Sequence, residues 1–264
     1  MKEVMDEVDL KHLAPFGAEI TARRPEADLR AIPAAALHSW TAEHKVVVLR
    51  GFASLAGAAL PDFCRGLGDL LEWDFGFVNE LRVQDGAQNY LFTDHAVPFH
   101  WDGAFAGRIP HYIFFVCDSA PPESSGGETL FCDTTRVVTG VSAEQARIWQ
   151  NISITYSTEK IVHYGGAFTS ELIAGRPITG EKILRYAEPV EDLNPVRLDI
   201  KGIPEAAHAA FLEDMHLRLH DPGVCYRHQW VAGDILIADN FALLHGRAAF
   251  THPAARQIRR VNIL

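Results

Sequence analysis

Short runs of apolar and β-branched residues, bounded by Gly, Pro and Asp, dominate the chain. Runs of this length between turn-forming residues are typical of strands in a sandwich or barrel. The continuous runs lie at 46–49, 112–117, 129–132 and 235–237, and a further candidate strand at 258–264 closes the chain. Alternating or weaker runs lie at 152–156, 183–186 and 224–230. The pattern therefore predicts a mainly β protein.

Helical spacing of apolar residues is less common and predicts helices that flank the β core. The segments concerned are 33–43, 60–71, 142–148 and 204–219. The stretch from His163 to Gly180 has no clear period, so we expect a long loop there, of the kind that often covers a site. There is no internal repeat and no linker, so residues 1–264 are expected to form a single domain.

The composition of the chain argues against several classes of function. The 264 residues carry a formal net charge of -10, which disfavours nucleic-acid binding. No apolar run approaches the roughly 20 residues of a membrane span, and the acidic N-terminus does not resemble a signal peptide. The four cysteines include no CxxC pair, so we expect reduced thiols in the core of a cytoplasmic protein.

The candidate chemistry begins with His100-Trp101-Asp102. On a strand, residues i and i+2 point to the same face, so His100 and Asp102 can bind one ion while Trp101 points away. Imidazole and carboxylate are ligands that non-haem Fe(II) uses, and a second histidine completes its facial triad. This pair alone is a weak pattern, because short His/Asp spacings also arise by chance.

Further motifs follow in a specific order. Gly126-Gly127-Glu128-Thr129 precedes a strand, and Gly233-Asp234 opens a buried strand that leads through Asp239-Asn240 to His245. Arg256 and Arg260 lie beyond that histidine.

This order of motifs resembles the TauD/TfdA group of Fe(II)/2-oxoglutarate-dependent dioxygenases. The segments 15–20 and 44–51 are similar to that group too, so the resemblance covers roughly residues 10–264. Within the group, the segments 98–103 and 126–134 look most like the PvcB-type oxygenases that are paired with isonitrile synthases.

The resemblance implies a double-stranded β-helix, or jelly-roll, core with flanking helices. It also implies Fe(II) as cofactor, 2-oxoglutarate as cosubstrate and O2 as oxidant. The implied metal ligands, which are the catalytic residues, are His100, Asp102 and His245. Relatives that halogenate lack the carboxylate, so Asp102 favours hydroxylation or desaturation.

The resemblance also assigns anion-binding roles. Arg256, helped by the Thr129 hydroxyl, would bind 2-oxoglutarate, and Arg260 would bind the anionic group of the substrate. Periodicity agrees with these roles, because Arg256 and Arg260 share one face of the C-terminal strand about 13 Å apart. Arg259 points to the other face, unless a bulge shifts the register and makes Arg259 the inward residue. A planar guanidinium suits a carboxylate because it binds both oxygens.

The implied function is oxidation, by desaturation or hydroxylation, of a small carboxylate substrate. An isonitrile derivative of tyrosine or a related amino acid fits the subgroup. The alternatives are a dioxygenase of a sulfonate or other small anion, a non-catalytic jelly-roll binding protein, and a zinc hydrolase with two histidines and one carboxylate. We expect no nucleic-acid or membrane partner, and a homo-oligomer is compatible with the sequence.

Aromatic residues near the motifs are expected to be core residues more than substrate contacts. They are Phe99, Trp101, Phe105, Phe114 and Phe115.

Overall fold

A computed structural model describes residues 6–84, 86–161, 164–191, 193–251 and 256–264. Its helices are α1 (Ala34–His44), α2 (Ala59–Arg65), α3 (Thr134–Thr139), α4 (Ala143–Trp149) and α5 (His208–Leu219). Short 3-10 turns lie at Leu29–Ala31, Tyr90–Phe92 and Glu205–Ala207. None of the helices in these ranges has the length and apolar character needed to span a bilayer.

The first half of the chain contributes the strands β1 (Val8–His12), β2 (Ala18–Ala22), β3 (Val46–Arg50), β4 (Val78–Leu81), β5 (Val97–His100), β6 (Tyr112–Ser119) and β7 (Thr129–Asp133). The second half contributes β8 (Ser153–Ile161), β9 (Tyr164–Glu171), β10 (Ile173–Gly175), β11 (Lys182–Leu184), β12 (Arg197–Lys201), β13 (Cys225–His228), β14 (Ile235–Asp239), β15 (Leu243–Arg247) and β16 (Gln257–Ile263).

Two sheets form the jelly-roll core. The larger has the order β1-β2-β3-β14-β6-β16-β4, and the smaller has the order β13-β7-β15-β5. Pairing is antiparallel apart from the parallel β2–β3 pair. A three-stranded sheet, β12-β8-β9, and the β10–β11 pair lie outside this core. The mainly β fold class is confirmed.

Alternation along the central strand β6 explains how the layers stack. Ile113, Phe115 and Cys117 pack with Phe131 and Leu243 of the smaller sheet. The intervening side chains face the other way, into an apolar layer closed by α1 and α2, and these are Phe114 and Val116. Since both faces of β6 are buried, its sequence is a continuous apolar run rather than an alternating one.

Helices α1, α2 and α4 begin within one residue of the predicted positions, but α5 begins at His208 after a 3-10 turn, α3 was not predicted, and α2 ends early. The Ser142 hydroxyl caps α4 by accepting a hydrogen bond from the Gln145 amide at 3.1 Å. Helix α2 stops at Arg65, short of the expected Leu71. Gly68 lies so close to β16 that a Cβ there would meet Ile263 Cγ2 at 2.9 Å. The contact with the sheet therefore takes precedence over the helical pattern.

The expectation of a long loop over 163–180 is wrong. Strand β9 pairs with β8 over 164–171, and β10, at 173–175, pairs with β11. His163 itself lies outside the described residues. Strand β9 carries Phe168 into an apolar cluster with Trp101 and Tyr156, so this segment does border the site. The thiols of Cys64, Cys117, Cys132 and Cys225 are free and buried, as expected.

Packing between the two core sheets should dominate stability. Leu236 of β14 is fully buried there, whereas Leu217 of α5 is 61% exposed. We expect Leu236→Ala to lower the free energy of unfolding by about 2–5 kcal/mol. The matched control, Leu217→Ala, should change it by less than about 0.5 kcal/mol. Urea unfolding checks both values, and equal losses would contradict the assigned packing.

Candidate active site

Three potential metal ligands converge at one end of the smaller sheet. His100 ends β5, Asp102 follows two residues later, and His245 lies in β15, directly opposite His100 in the β-sheet register. Asp102 Oδ1 is 3.8 Å from His100 Nε2 and 3.7 Å from His245 Nε2. The three ligand atoms lie within 4.8 Å of one another, so one ion can contact all three.

The two imidazoles are prepared to bind a cation. His100 Nδ1 lies 2.9 Å from the Pro98 carbonyl oxygen, so it carries the proton and leaves the Nε2 lone pair free for a metal. His245 Nε2 is buried and has no hydrogen-bond partner among the described residues. Burial lowers the pKa of both histidines, so they are neutral at pH 7. Two neutral imidazoles and one carboxylate fit Fe(II).

Asp102 is kept ionised in a buried position. Arg260 Nη1 donates to Asp102 Oδ1 at 3.2 Å, and Asn262 Nδ2 donates to Oδ2 at 2.8 Å. Burial by itself would raise the pKa of Asp102, but the charge of Arg260 and the hydrogen bond from Asn262 outweigh it and keep the pKa below its ordinary value. Asn240 fixes the backbone, since its side chain accepts from the Asp102 amide at 2.9 Å and donates to the Asp102 carbonyl oxygen at 3.1 Å.

A second group of residues forms a small anion pocket beside His245. Arg256 is buried, and its Nη2 donates to Thr129 Oγ1 at 3.1 Å. Trp230 Nε1 donates to the same oxygen at 2.9 Å. Because both acceptor positions of this hydroxyl are used, its own proton is left to donate to a ligand.

The charge of Arg256 has no counter-ion among the described residues. Burial and the neighbouring Arg247 lower the pKa of Arg256 to about 9, so it remains protonated at pH 7. A buried cation without an acidic partner favours the binding of an anion. The cavity beside it is also lined by His100, His245 and Arg260. A short dicarboxylate such as 2-oxoglutarate fits this combination of metal ligands and a buried guanidinium.

A second, larger cavity is bordered by His100, Asp102 and Arg260. Aromatic rings form much of its wall. Phe168 stacks on Tyr156 at 4.9 Å between ring centroids and meets Phe105 edge to face at 4.7 Å. His100 and Arg260 border both cavities, so the two cavities meet at the metal ligands. The cavity wall also includes Trp73, Tyr90, Leu91, Phe99 and Trp101.

All the residues that the sequence analysis predicts for the site lie close together in the structure. The register of β16 directs Arg260 into the site, whereas Arg259 points outward and pairs with Asp118. Phe99, Trp101 and Phe105 belong to an apolar cluster, as expected, and they also line the larger cavity.

Several residues of the site were not foreseen. Asn262 lies on the inward face of β16 with Arg260, and Asn240 follows Asp239 in the motif that leads to His245. The spacing of residues along the sequence could therefore have identified both asparagines as site residues. Trp230 and Arg247 carry no such signal, because only the sheet pairing brings them near Thr129 and Arg256.

A jelly-roll core with two histidines, one carboxylate and an adjoining anion pocket defines the class of mononuclear non-haem iron oxygenases that use 2-oxoglutarate. The model of the taurine catabolism dioxygenase TauD, TfdA family matches residues 9–262. The chain belongs to the TauD/TfdA family and is an Fe(II)/2-oxoglutarate-dependent dioxygenase. The resemblance seen in the sequence is therefore confirmed.

Three relatives are informative. A 3-((Z)-2-isocyanoethenyl)-1H-indole synthase from Fischerella ambigua is 44% identical over 97% of this chain and 95% of its own length. A tyrosine isonitrile desaturase from Pseudomonas aeruginosa is 34% identical over 94% and 87% of the two chains. The crystal structure of PvcB from Pseudomonas aeruginosa superposes with a TM-score of 0.84 at 31% identity, covering 97% and 91% of the two chains. PvcB is described as an Fe, alpha-ketoglutarate dependent oxygenase from an isonitrile synthetic pathway.

Loss of either histidine should abolish metal binding at this site. Anaerobic addition of Fe(II) and 2-oxoglutarate to the wild type should give the weak visible absorption band of their complex. His100→Ala and His245→Ala should each eliminate it, because two remaining protein ligands are too few to hold the ion facially. His12→Ala, which removes an exposed histidine elsewhere, should leave the band intact. An undiminished band in both site variants would exclude these residues as ligands.

Asn262 should position Asp102 for the metal. Asn262→Ala removes the donor to Oδ2, and we expect the Fe(II) affinity to fall about 10–100-fold. Arg259→Ala, on the opposite face of the same strand, serves as the control and should leave the affinity unchanged. Titration of the same absorption band with Fe(II) gives the Fe(II) affinity of both variants. An unaltered affinity in Asn262→Ala would show that Arg260 alone is sufficient to position Asp102.

Proposed function

We propose that the protein oxidises an isonitrile derived from an aromatic amino acid, and that it introduces a carbon–carbon double bond into the side chain. The observation that carries this proposal is the aromatic cavity that opens directly onto His100 and Asp102. The names of the two relatives support it, since one describes an isocyanoethenyl group on indole and the other a desaturase of tyrosine isonitrile. Within the proposal, the whole chain acts as one catalytic domain.

The cavity walls suit an aromatic ring. Offset and edge-to-face contacts between rings contribute about 0.5–1.5 kcal/mol each beyond the burial of area. An indole or phenol ring placed between Phe105, Phe168 and Trp101 would gain several such contacts. A small sulfonate or another aliphatic anion would add no ring–ring contacts to this wall, so the cavity favours the aromatic isonitrile over that alternative.

A positively charged side chain, that of Arg260, lies at the junction of the two cavities. Arg260 is buried, borders both cavities, and has a buried Nε without a hydrogen-bond partner among the described residues. We assign it to the carboxylate of the substrate, in addition to its contact with Asp102. Recognition of the carboxylate there would orient the amino-acid side chain along the aromatic wall, with the bond to be oxidised next to the metal ligands.

The residues divide the work of the reaction. His100, Asp102 and His245 would hold Fe(II), while Arg256 and the Thr129 hydroxyl would hold the distal carboxylate of 2-oxoglutarate. The metal and the cosubstrate supply the O2-dependent removal of hydrogen from carbon. The aromatic wall excludes water and holds the substrate in one orientation, which limits side reactions.

The proposed function is tested by turnover of defined isonitriles. The isonitriles of tryptophan and of tyrosine, each with its free carboxylate, are incubated with Fe(II), 2-oxoglutarate and O2. We expect an alkene product from at least one of them, with one succinate formed per turnover, as shown by mass spectrometry. Two kinds of compound serve as controls. One is the parent amino acid, which has an amine in place of the isonitrile group, and the other is taurine. Turnover of taurine with no reaction of either isonitrile would contradict the proposal.

Replacement of Arg256 and replacement of Arg260 should impair the binding of different molecules. Arg256→Ala removes the cation that pairs with 2-oxoglutarate, which typically costs about 2–5 kcal/mol, so KM for 2-oxoglutarate should rise about 30-fold or more. Arg260→Gln retains a donor toward Asp102 but removes the charge, so KM for the isonitrile should rise while KM for 2-oxoglutarate changes little. Steady-state kinetics separate these effects, with Arg259→Ala as the control. If Arg260→Gln acted mainly on 2-oxoglutarate, our assignment would be wrong.

A further inference from the structure

A second cluster of potential metal ligands lies outside the active site. His216 lies in the last turn of α5, and His220 caps the C-terminus of that helix four residues later, so the two side chains lie close together. Their rings are 4.3 Å apart, and both meet the carboxylate of Glu188, which lies between β11 and β12. Nothing in the reaction described above uses the two imidazoles.

The distances in this cluster suit a single ion. Glu188 Oε1 is 2.8 Å from His216 Nδ1 and 3.3 Å from His220 Nε2, and the three atoms lie within 4.8 Å of one another. A tetrahedral Zn²⁺ ion with bonds of about 2.0–2.1 Å holds its ligand atoms about 3.3 Å apart. Small rotations of the two imidazoles therefore bring all three atoms to coordination distance.

The carboxylate is fixed and the histidines are accessible. Glu188 Oε2 accepts from the Phe99 amide at 2.8 Å, which leaves Oε1 directed at the two imidazoles. Only 9% of the Glu188 side chain is exposed, whereas 58% of His216 and 34% of His220 are exposed. An ion can thus enter from solvent and find an oriented carboxylate, and water can complete the coordination sphere.

We propose that Glu188, His216 and His220 form a second metal site, which binds Zn²⁺. Imidazole and carboxylate ligands suit this ion, and Zn²⁺ binds nitrogen and oxygen donors more tightly than Fe²⁺ does. Each neutral imidazole binds the ion through the nitrogen that faces Oε1 and carries its single proton on the other ring nitrogen, so no net proton is lost. The bound ion connects α5 to Phe99 through Glu188, and Phe99 immediately precedes the iron ligand His100.

Zinc stoichiometry tests the second site independently of catalytic turnover. The metal-free full-length protein is dialysed against buffered Zn²⁺, and bound zinc is measured by mass spectrometry. We expect two equivalents in the wild type, because the active-site histidines and Asp102 also accept Zn²⁺. The double variants His216→Ala/His220→Ala and His100→Ala/His245→Ala should each bind one, and the combined variant none. His12→Ala is the control and should bind two.

A thermal measurement provides a second readout. Zn²⁺ should raise the Tm of His100→Ala/His245→Ala, since this variant retains the second site, and it should leave the combined variant unchanged. The His216 side chain is mostly exposed and the His220 side chain is one-third exposed, so their replacement should not unfold the protein. The proposal is overturned if the wild type binds one equivalent, or if His216→Ala/His220→Ala still binds two. Neither result depends on whether the isonitriles are substrates.

Discussion

The buried charge of Asp102 is the constraint on which the site depends. A carboxylate in this position is costly to bury unless charged or polar groups compensate it. Arg260 and Asn262 contact its two oxygens, and Asn240 fixes its backbone. Three segments that are distant in sequence must therefore be correctly placed before the ligand set exists. A fold that positioned only the histidines would provide two neutral ligands and no stable carboxylate.

The jelly roll meets this constraint through the pairing of its strands. His245 lies opposite His100 because β15 and β5 are neighbours in the smaller sheet. Arg260 and Asn262 reach Asp102 because β16 lies in the facing, larger sheet with both side chains directed inward. The same two sheets enclose Arg256 and Thr129 on one side of the metal ligands. The aromatic cavity lies on the other side, partly walled by β9 from outside the core.

Much of this arrangement could be predicted from the sequence, where local patterns and geometry agree. The apolar runs of β6 and β14 identify central strands, and the two-residue period of β16 places Arg260 inward and Arg259 outward. Strand β9 could not be predicted because its Gly-rich sequence shows no regular alternation of apolar and polar residues, although its Phe168 forms part of the cavity wall. Helix α2 ends early because of the close approach of Gly68 to β16, which no local pattern records.

Residues that act through long-range contacts were the hardest to foresee. Trp230, two residues beyond the end of β13, donates to Thr129 of β7, and this bond leaves the hydroxyl proton of Thr129 free for the anion pocket. Glu188 likewise contacts Phe99 and α5 from an irregular segment. Their roles follow from the sheet order and from helix packing, which the spacing of residues along the chain does not specify.

A crystal structure of the anaerobic complex with Fe(II) and 2-oxoglutarate tests the central claim most directly. The account predicts one ion bound to His100, Asp102 and His245, with the distal carboxylate of 2-oxoglutarate on Arg256 and the Thr129 hydroxyl. The aromatic cavity should remain free of the cosubstrate. An ion held by other residues, or 2-oxoglutarate with its distal carboxylate on Arg260 in the aromatic cavity, would contradict the account.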